Sequence, residues 1–505
     1  MHDLAPKMVS EHRIRVNFKS LAAVLELAKA SLHDGGGRGM APDVRANMAD
    51  IGTASLGGRL SGGSTVSVAV ATAIVVADMV GVGVFTSLGF QVKDIPSGFA
   101  IIALWTVGGI VALCGVFSYS ELGAMFPRSS GEYNFLSRAY HPAFGFVAGF
   151  VSATVGFAAP VALAAIALEQ YGRSIFPDAP PLVLAVGTVW AVSLVQLSGV
   201  RHSSTFQLIS TILKVVLITA FLIAGFVIGT PQAVSFTPQV RDVGYIASAP
   251  FAIGLVFVMY SFSGWNAATY IVGEMRDAGQ NLPRALFAGT LIVLVLYVAL
   301  NAVFLHTAPI DKLAGQIDVA RIAGTYIFGE VGGRIVGAMI CIGLVSSISA
   351  MMWIGPRVMM TMGEDIPALR VFSRKSTQGA PAYAILFQLT VASLMLFTRS
   401  FEAVLDFIQF SLLFCSFFTV LGVIKLRITR PDLPRPYRAW GYPVTPAIFL
   451  LVTLFMMYYL VVERPLQSFF GALIMVSGLL IYAVFRKKDD AGSATSSPTR
   501  PVGRQ

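Results

Sequence analysis

Two ionisable side chains sit inside long apolar runs, where water cannot solvate them. Lys214 lies within Gln207-Leu208-Ile209-Ser210-Thr211-Ile212-Leu213-Lys214-Val215-Val216-Leu217, and Asp78 lies three residues before Gly81. An unpaired ammonium at such a depth costs about 2.5–3.5 kcal/mol, so Lys214 must turn inward to oxygens or snorkel along its stem to an interface. Asp78 has four readings: an ion pair with Lys214, a counter-charge for a substrate's amine or cationic side chain, a protonated carboxyl that carries a proton, or a hydrogen-bonded group with no role in transport. Two glycine-interrupted segments accompany them, Val80-Gly81-Val82-Gly83-Val84-Phe85 and Ser261-Phe262-Ser263-Gly264-Trp265-Asn266. Such glycines can serve close helix packing. They can also open a helix, which bares N–H groups on one stub and C=O groups on the other. A zwitterion satisfies both kinds of end, its carboxylate on the amides and its ammonium on the carbonyls. The ligand expected from this chemistry is a small α-amino acid or a relative.

The elements that must hold these residues follow from composition. Of 505 residues, 55% are hydrophobic and only 12% charged. That balance leaves too little polar side chain to cover a water-facing surface, so the chain reads as a membrane protein. One crossing takes about 20 apolar residues. Apolar runs near 66–91, 98–125, 141–170, 182–199, 205–229, 247–273, 285–306, 332–362, 381–398, 402–426, 445–462 and 467–485 predict an all-α protein of twelve transmembrane helices. Residues 1–65 read as a disordered, polar, Gly-rich tail in which Met40 and Met48 offer internal starts, residues 66–485 as the transmembrane domain, and 486–505 as a second disordered tail. Lys and Arg concentrate in the alternate segments that share a side with both tails, which places both termini in the cytoplasm. The net charge of +10 is spread between apolar runs rather than gathered on one face, so no nucleic-acid partner is expected. Cys114, Cys341 and Cys415 all fall inside hydrophobic segments and form no disulfide framework.

The two interrupted spans are the first and the sixth, at corresponding positions of two five-span halves. Paired breaks of this kind point to an inverted-repeat transporter with its site at the bilayer midplane. Further motifs carry a resemblance. Val80 to Phe85, the run Tyr119-Ser120-Glu121-Leu122-Gly123-Ala124-Met125-Phe126-Pro127-Arg128-Ser129-Ser130-Gly131-Glu132-Tyr133, Gly264-Trp265-Asn266 with Gly273-Glu274 and Asn281-Leu282-Pro283-Arg284, and Gly363-Glu364-Asp365-Ile366-Pro367 together resemble the amino acid–polyamine–organocation superfamily of permeases. The resemblance covers roughly residues 66 to 440 and implies a leucine-transporter-type fold, two inverted five-helix repeats plus two C-terminal helices, working by alternating access. Carried over by position, it implies that Gly81, Val82 and Gly83 cradle the substrate carboxylate. Carbonyls of Met79, Tyr260, Ser261 and Ser263 would meet the amine, and the Tyr260 ring would lid it. Val82 departs from the serine usual at the middle of the first motif, and Asp78 from the uncharged residue usual at its place. The resemblance further implies that Lys214 fills the place sodium takes in sodium-coupled relatives, with transport proton-coupled or by exchange.

Other groups carry less. Glu121, Arg128, Glu132, Glu274 and Arg284 border loops and suit structural pairs or gates, Glu402 and Asp406 suit a helix N-terminus, and Ser346, Ser347 and Ser349 suit helix packing or, in sodium-coupled relatives, ion ligands. No metalloprotease, nucleophile-elbow or P-loop motif occurs, so neither an enzyme nor an ATP-driven pump is expected, and no cofactor or metal. The rival readings are a sodium symporter, a polyamine or amine permease, and a permease-like sensor. The expected setting is the plasma membrane, with a small amino acid and the lipid bilayer as partners, no disulfide-linked subunit, and an oligomeric state the sequence leaves open.

Overall fold

A computed structural model describes residues 67–495, apart from 129, 181, 199, 247, 377–379 and 399. The expected tail at 1–65 lies outside the described residues. Among those described, the chain is helical and contains no strand. In a bilayer this is one of only two solutions, because every backbone N–H and C=O must find its partner within the segment or across a closed barrel.

In chain order the helices are α1 (Val68–Met79), α2 (Gly83–Asp94), α3 (Gly98–Met125), α4 (Glu132–Ala139), α5 (Pro142–Val151), α6 (Ala158–Gly172), α7 (Val183–Leu197), α8 (Val200–Val227), α9 (Val240–Ile246) and α10 (Ala249–Ser261). They continue with α11 (Ala278–Thr307), α12 (Ile310–Leu313), α13 (Val319–Asp365), α14 (Ala382–Leu396), α15 (Phe401–Thr429), α16 (Val444–Glu463) and α17 (Pro465–Thr495). Among the described residues, 7 helical stretches are long and apolar enough to cross a membrane, and α1 with α2 and α9 with α10 form bent pairs that would each count as one more. Several starts are set by side-chain caps: Ser97 Oγ accepts the Ala100 N–H at 3.2 Å, and Ser248 Oγ accepts that of Phe251 at 3.3 Å.

Four elements differ from the expected spans. The third span is not uniform: Ser152–Gly156 forms a π turn, with Phe157 N–H donating to Ser152 O at 3.1 Å. Pro160 explains it, since its missing N–H and its ring would leave the Gly156 carbonyl unpaired and crowded in a regular helix. The sixth span does not resume as an α-helix after its break but proceeds in 3₁₀ turns at Ala267–Tyr270 and Val272–Glu274. The eighth begins earlier than expected, because the helical path starts at Val319 and is interrupted at Gly329 before the apolar part. The last helix continues through Thr495, so the first residues of the expected 486–505 tail are helical; no proline stops it, and a charged end carries a helix into water at little cost.

Buried polar side chains tie the elements that frame the site. Gln91 on α2 accepts from Trp105 Nε1 on α3 at 2.9 Å and donates to Gly254 O on α10 at 3.2 Å. Tyr171 on α6 donates to Phe85 O on α2 at 2.8 Å, and Gln409 on α15 donates to Val256 O on α10 at 3.1 Å. Such bonds fix register where lipid supplies no hydrophobic drive between helices. Of the loop-bordering charges, Glu121, Arg128 and Glu132 find polar partners. Glu121 receives Arg427 at 2.6 and 3.0 Å and the Ala439 N–H at 2.7 Å. Asp365 receives Arg128 at 2.7 Å and the Tyr133 hydroxyl at 2.9 Å, a bond that holds the Arg128 guanidinium above its ordinary pKa. Glu132 accepts from Tyr119 and from Ser416, and Arg464 meets both Glu402 and Asp406.

Candidate functional site

The helix breaks fall where the glycine motifs place them. α1 ends at Met79 and α2 begins at Gly83 after a 40° bend, and α10 ends at Ser261. In the first break Val80 N–H still reaches Val76 O at 3.0 Å, and Gly81 N–H folds back onto Met79 O at 2.7 Å. Among the described residues, the N–H groups of Val82, Gly83 and Val84 have no backbone acceptor. They head a 12-residue helix, so its positive end faces the break. In the second break Ser263 N–H donates to Tyr260 O at 2.9 Å, and Gly264 adopts φ +102°, a conformation that disfavours side chains.

The two breaks touch. A Cβ on Gly83 would stand 2.5 Å from Ser261 Oγ and 2.6 Å from Ser261 Cα, so only glycine lets α2 approach the end of α10 this closely. Ser87 and Ser261 hydroxyls lie 3.2 Å apart beside the same contact. Between the breaks lies a cavity of about 20 Å³ lined by Asp78, Met79, Gly81, Val82, Gly83, Tyr260, Ser261, Ser263 and Ser347, with Pro160, Ala164 and Met351 completing the wall. Eight of the nine sequence-predicted residues thus share one cavity, all but Lys214. Its volume suits about one water molecule and falls far short of the roughly 300–1,000 Å³ of a ligand pocket, so a substrate enters only if the helices around it move apart.

Lys214 stands behind this wall. It is 5% exposed, and Nζ donates to Val80 O at 2.9 Å and to Ser347 Oγ at 3.2 Å, bridging the broken first span to α13. Its stem borders a separate cleft of about 500 Å³ between α8, α11 and α13 whose lining is almost wholly apolar. Asp78 is 7% exposed; its Oδ1 has no hydrogen-bond partner among the described residues. Of the readings for Asp78, contact pairing with Lys214 is not formed in this arrangement, since no ion pair joins them among the described residues.

One residue absent from the sequence reading organises the site. Tyr297 on α11 is fully buried, and its hydroxyl lies 2.5 Å from Met79 O and 3.1 Å from Ser261 O, the carbonyls at the ends of α1 and α10. Two of the carbonyls expected to meet an amine are therefore engaged by a hydroxyl that is not part of the cavity wall. Nothing in the sequence marks this tyrosine, which reads as one more aromatic in an apolar helix. Tyr297→Phe is expected to destabilise the purified protein by about 1 kcal/mol, the net worth of one hydrogen bond, read as a lowered melting temperature in detergent. An unchanged melting temperature would show that the hydroxyl does not hold the stubs together. Of the serines on α13, Ser347 joins the Lys214 bridge, while Ser349 Oγ accepts from Gln196 at 3.0 Å in helix packing.

Residues 66–485 match a family described as amino acid permease. The chain is 26% identical over 426 residues to the b(0,+)-type amino acid transporter 1 of Mus musculus, covering 82% of this chain and 86% of that protein. A serine/threonine exchanger of Bacillus subtilis is 23% identical over 429 residues, covering 83% of this chain and 96% of its own. The large neutral amino acids transporter small subunit 2 of Mus musculus is 25% identical over 430 residues, covering 82% and 79%.

Proposed function

The chain belongs to the amino acid permease family, and on that premise we propose that it is a secondary active, sodium-independent transporter of α-amino acids that works by alternating access. The observation that carries this reading is the buried cavity where two opened helices meet, lined by Val82 and Gly83, whose amides have no backbone acceptor among the described residues, and by Asp78. The substrate carboxylate would sit on the amides of Gly81, Val82 and Gly83 at the positive end of α2. Carbonyls of Met79, Tyr260, Ser261 and Ser263 would line the amine end, with the Tyr260 ring as lid. Because the cavity is smaller than any amino acid, the cycle requires α1, α2 and α10 to move against the helices behind them.

Sodium independence rests on Lys214. Its ammonium already bridges Val80 O and Ser347 Oγ, a fixed cation where a bound one would otherwise join the first and eighth spans. Coupling is then to protons or to counter-substrate, and the exchanger among the relatives supports the second. In this reading the helices form twelve spans, two inverted sets of five headed by the bent pairs followed by two more, in a plasma membrane with both termini cytoplasmic. A sodium symporter or a polyamine permease is the rival.

Purified protein in liposomes decides between them. Uptake of at least one labelled amino acid is expected to proceed equally with and without a sodium gradient and to rise with either an inward proton gradient or internal amino acid. A sodium requirement would overturn the coupling assignment, and uptake of amines alone would overturn the substrate class.

A further inference from the structure

We propose that the Asp78 carboxylate is the seat of the substrate's ammonium group, so that the site selects primary amines first and treats the carboxylate as a second, separable feature. This deepens the permease reading and rests on it.

Carbonyls that would otherwise take an ammonium already have donors. Met79 O accepts both the Gly81 N–H at 2.7 Å and the Tyr297 hydroxyl at 2.5 Å. Ser261 O faces the same hydroxyl at 3.1 Å, and Tyr260 O accepts the Ser263 N–H at 2.9 Å. Three of the four carbonyls at the breaks thus already face a donor, and Met79 O faces two. Asp78 is the opposite case. It lines the cavity, is 7% exposed, and holds Oδ1 without a hydrogen-bond partner among the described residues. A buried carboxylate oxygen with no donor is costly, and an ammonium brings three donors and the opposite charge.

The fixed cation of the region does not meet this need. Lys214 donates from its ammonium to Val80 O and Ser347 Oγ, and among the described residues no ion pair joins it to Asp78. The backbone also keeps the carboxylate's surroundings free of side chain. Gly264, at φ +102°, packs against Asp78, and a Cβ there would lie 2.7 Å from Asp78 Oδ2. The seat is therefore a side-chain carboxylate at the end of α1, packed against Gly264 in the break of the sixth span, in a cavity that Val82 and Gly83 also line.

The test compares three probes on purified protein in detergent by thermal stabilisation: the common L-amino acid that stabilises it most, the methyl ester of that amino acid, which keeps the ammonium and loses the carboxylate, and the deaminated acid, which does the reverse. In the wild type the amino acid and its ester are expected to stabilise and the acid not to. In Asp78→Asn, which keeps size and shape, both are expected to bind at least tenfold more weakly, the loss of about one charge-assisted hydrogen bond. The unliganded melting temperature of the variant reports its folding, and the wild-type comparison stands even if the variant is unstable. Wild-type binding of the deaminated acid as tight as that of the amino acid would overturn the proposal, as would unaltered binding of both amine probes to Asp78→Asn. If no amino acid stabilises the wild type, the permease reading itself fails along with it.

Discussion

Gly83→Ala is expected to abolish uptake in liposomes and to lower the melting temperature of the purified protein. The added Cβ would lie 2.6 Å from Ser261 Cα, a backbone atom that no rotamer change can move aside. Relief requires α2 to shift away from the end of α10, which pulls the Val82 and Gly83 amides off the cavity. Inserting one carbon into a packed core costs about 1–3 kcal/mol even where side chains can yield. Here the loss is also geometric, and an ångström of misplacement in a site that must recognise both ends of a small zwitterion removes binding. Ser261→Gly takes away the Oγ and Cβ contacts but leaves Cα in place, so the double variant is expected to stay inactive. Wild-type uptake by Gly83→Ala would show that the two breaks do not need this contact.

Lys214→Met is expected to reduce uptake at least tenfold while leaving a folded protein. The substitution keeps the apolar stem and deletes the ammonium, so Val80 O and Ser347 Oγ lose the group that joins them across 2.9 and 3.2 Å. A hydrogen bond from a charged donor contributes about 1.5–3 kcal/mol, and the removed charge no longer has to be desolvated, so net stability changes little while the link between the first span and α13 is lost. The measurement is initial uptake alongside the melting temperature. Full activity in Lys214→Met would reduce the lysine to a packing element and remove the reason for sodium independence.

The parts of the site that were legible share one property: residue types that the bilayer makes conspicuous. Gly81, Gly83 and Gly264 stand in runs of large apolar residues, and Lys214 and Asp78 place charge where charge is expensive, so position along the chain was enough to single them out. The paired breaks were found for the same reason. Tyr297 was not, because its partners are two carbonyls 218 and 36 residues away, and carbonyls are the same at every position of a sequence. Pro160 was visible as a residue, yet that it would widen a turn and line the cavity depends on which neighbours the third span meets.

The sixth span shows the boundary from the other side. Its apolar run is continuous, and hydropathy reads it as a helix to 273, but after Gly264 the backbone turns in 3₁₀ segments. Hydropathy measures transfer into lipid and is blind to the local twist, which packing against neighbouring helices sets.

By itself the sequence determined that this chain crosses a membrane, where its helices must open, and which charges must turn inward, because each of those follows from the cost of an unsatisfied group in hydrocarbon and is paid or avoided residue by residue. Only the tertiary structure decided which opened ends face each other, which carbonyls Tyr297 takes and which carboxylate oxygen is left over. Those are properties of atoms brought together from distant parts of the chain, and they come into being only when the helices pack.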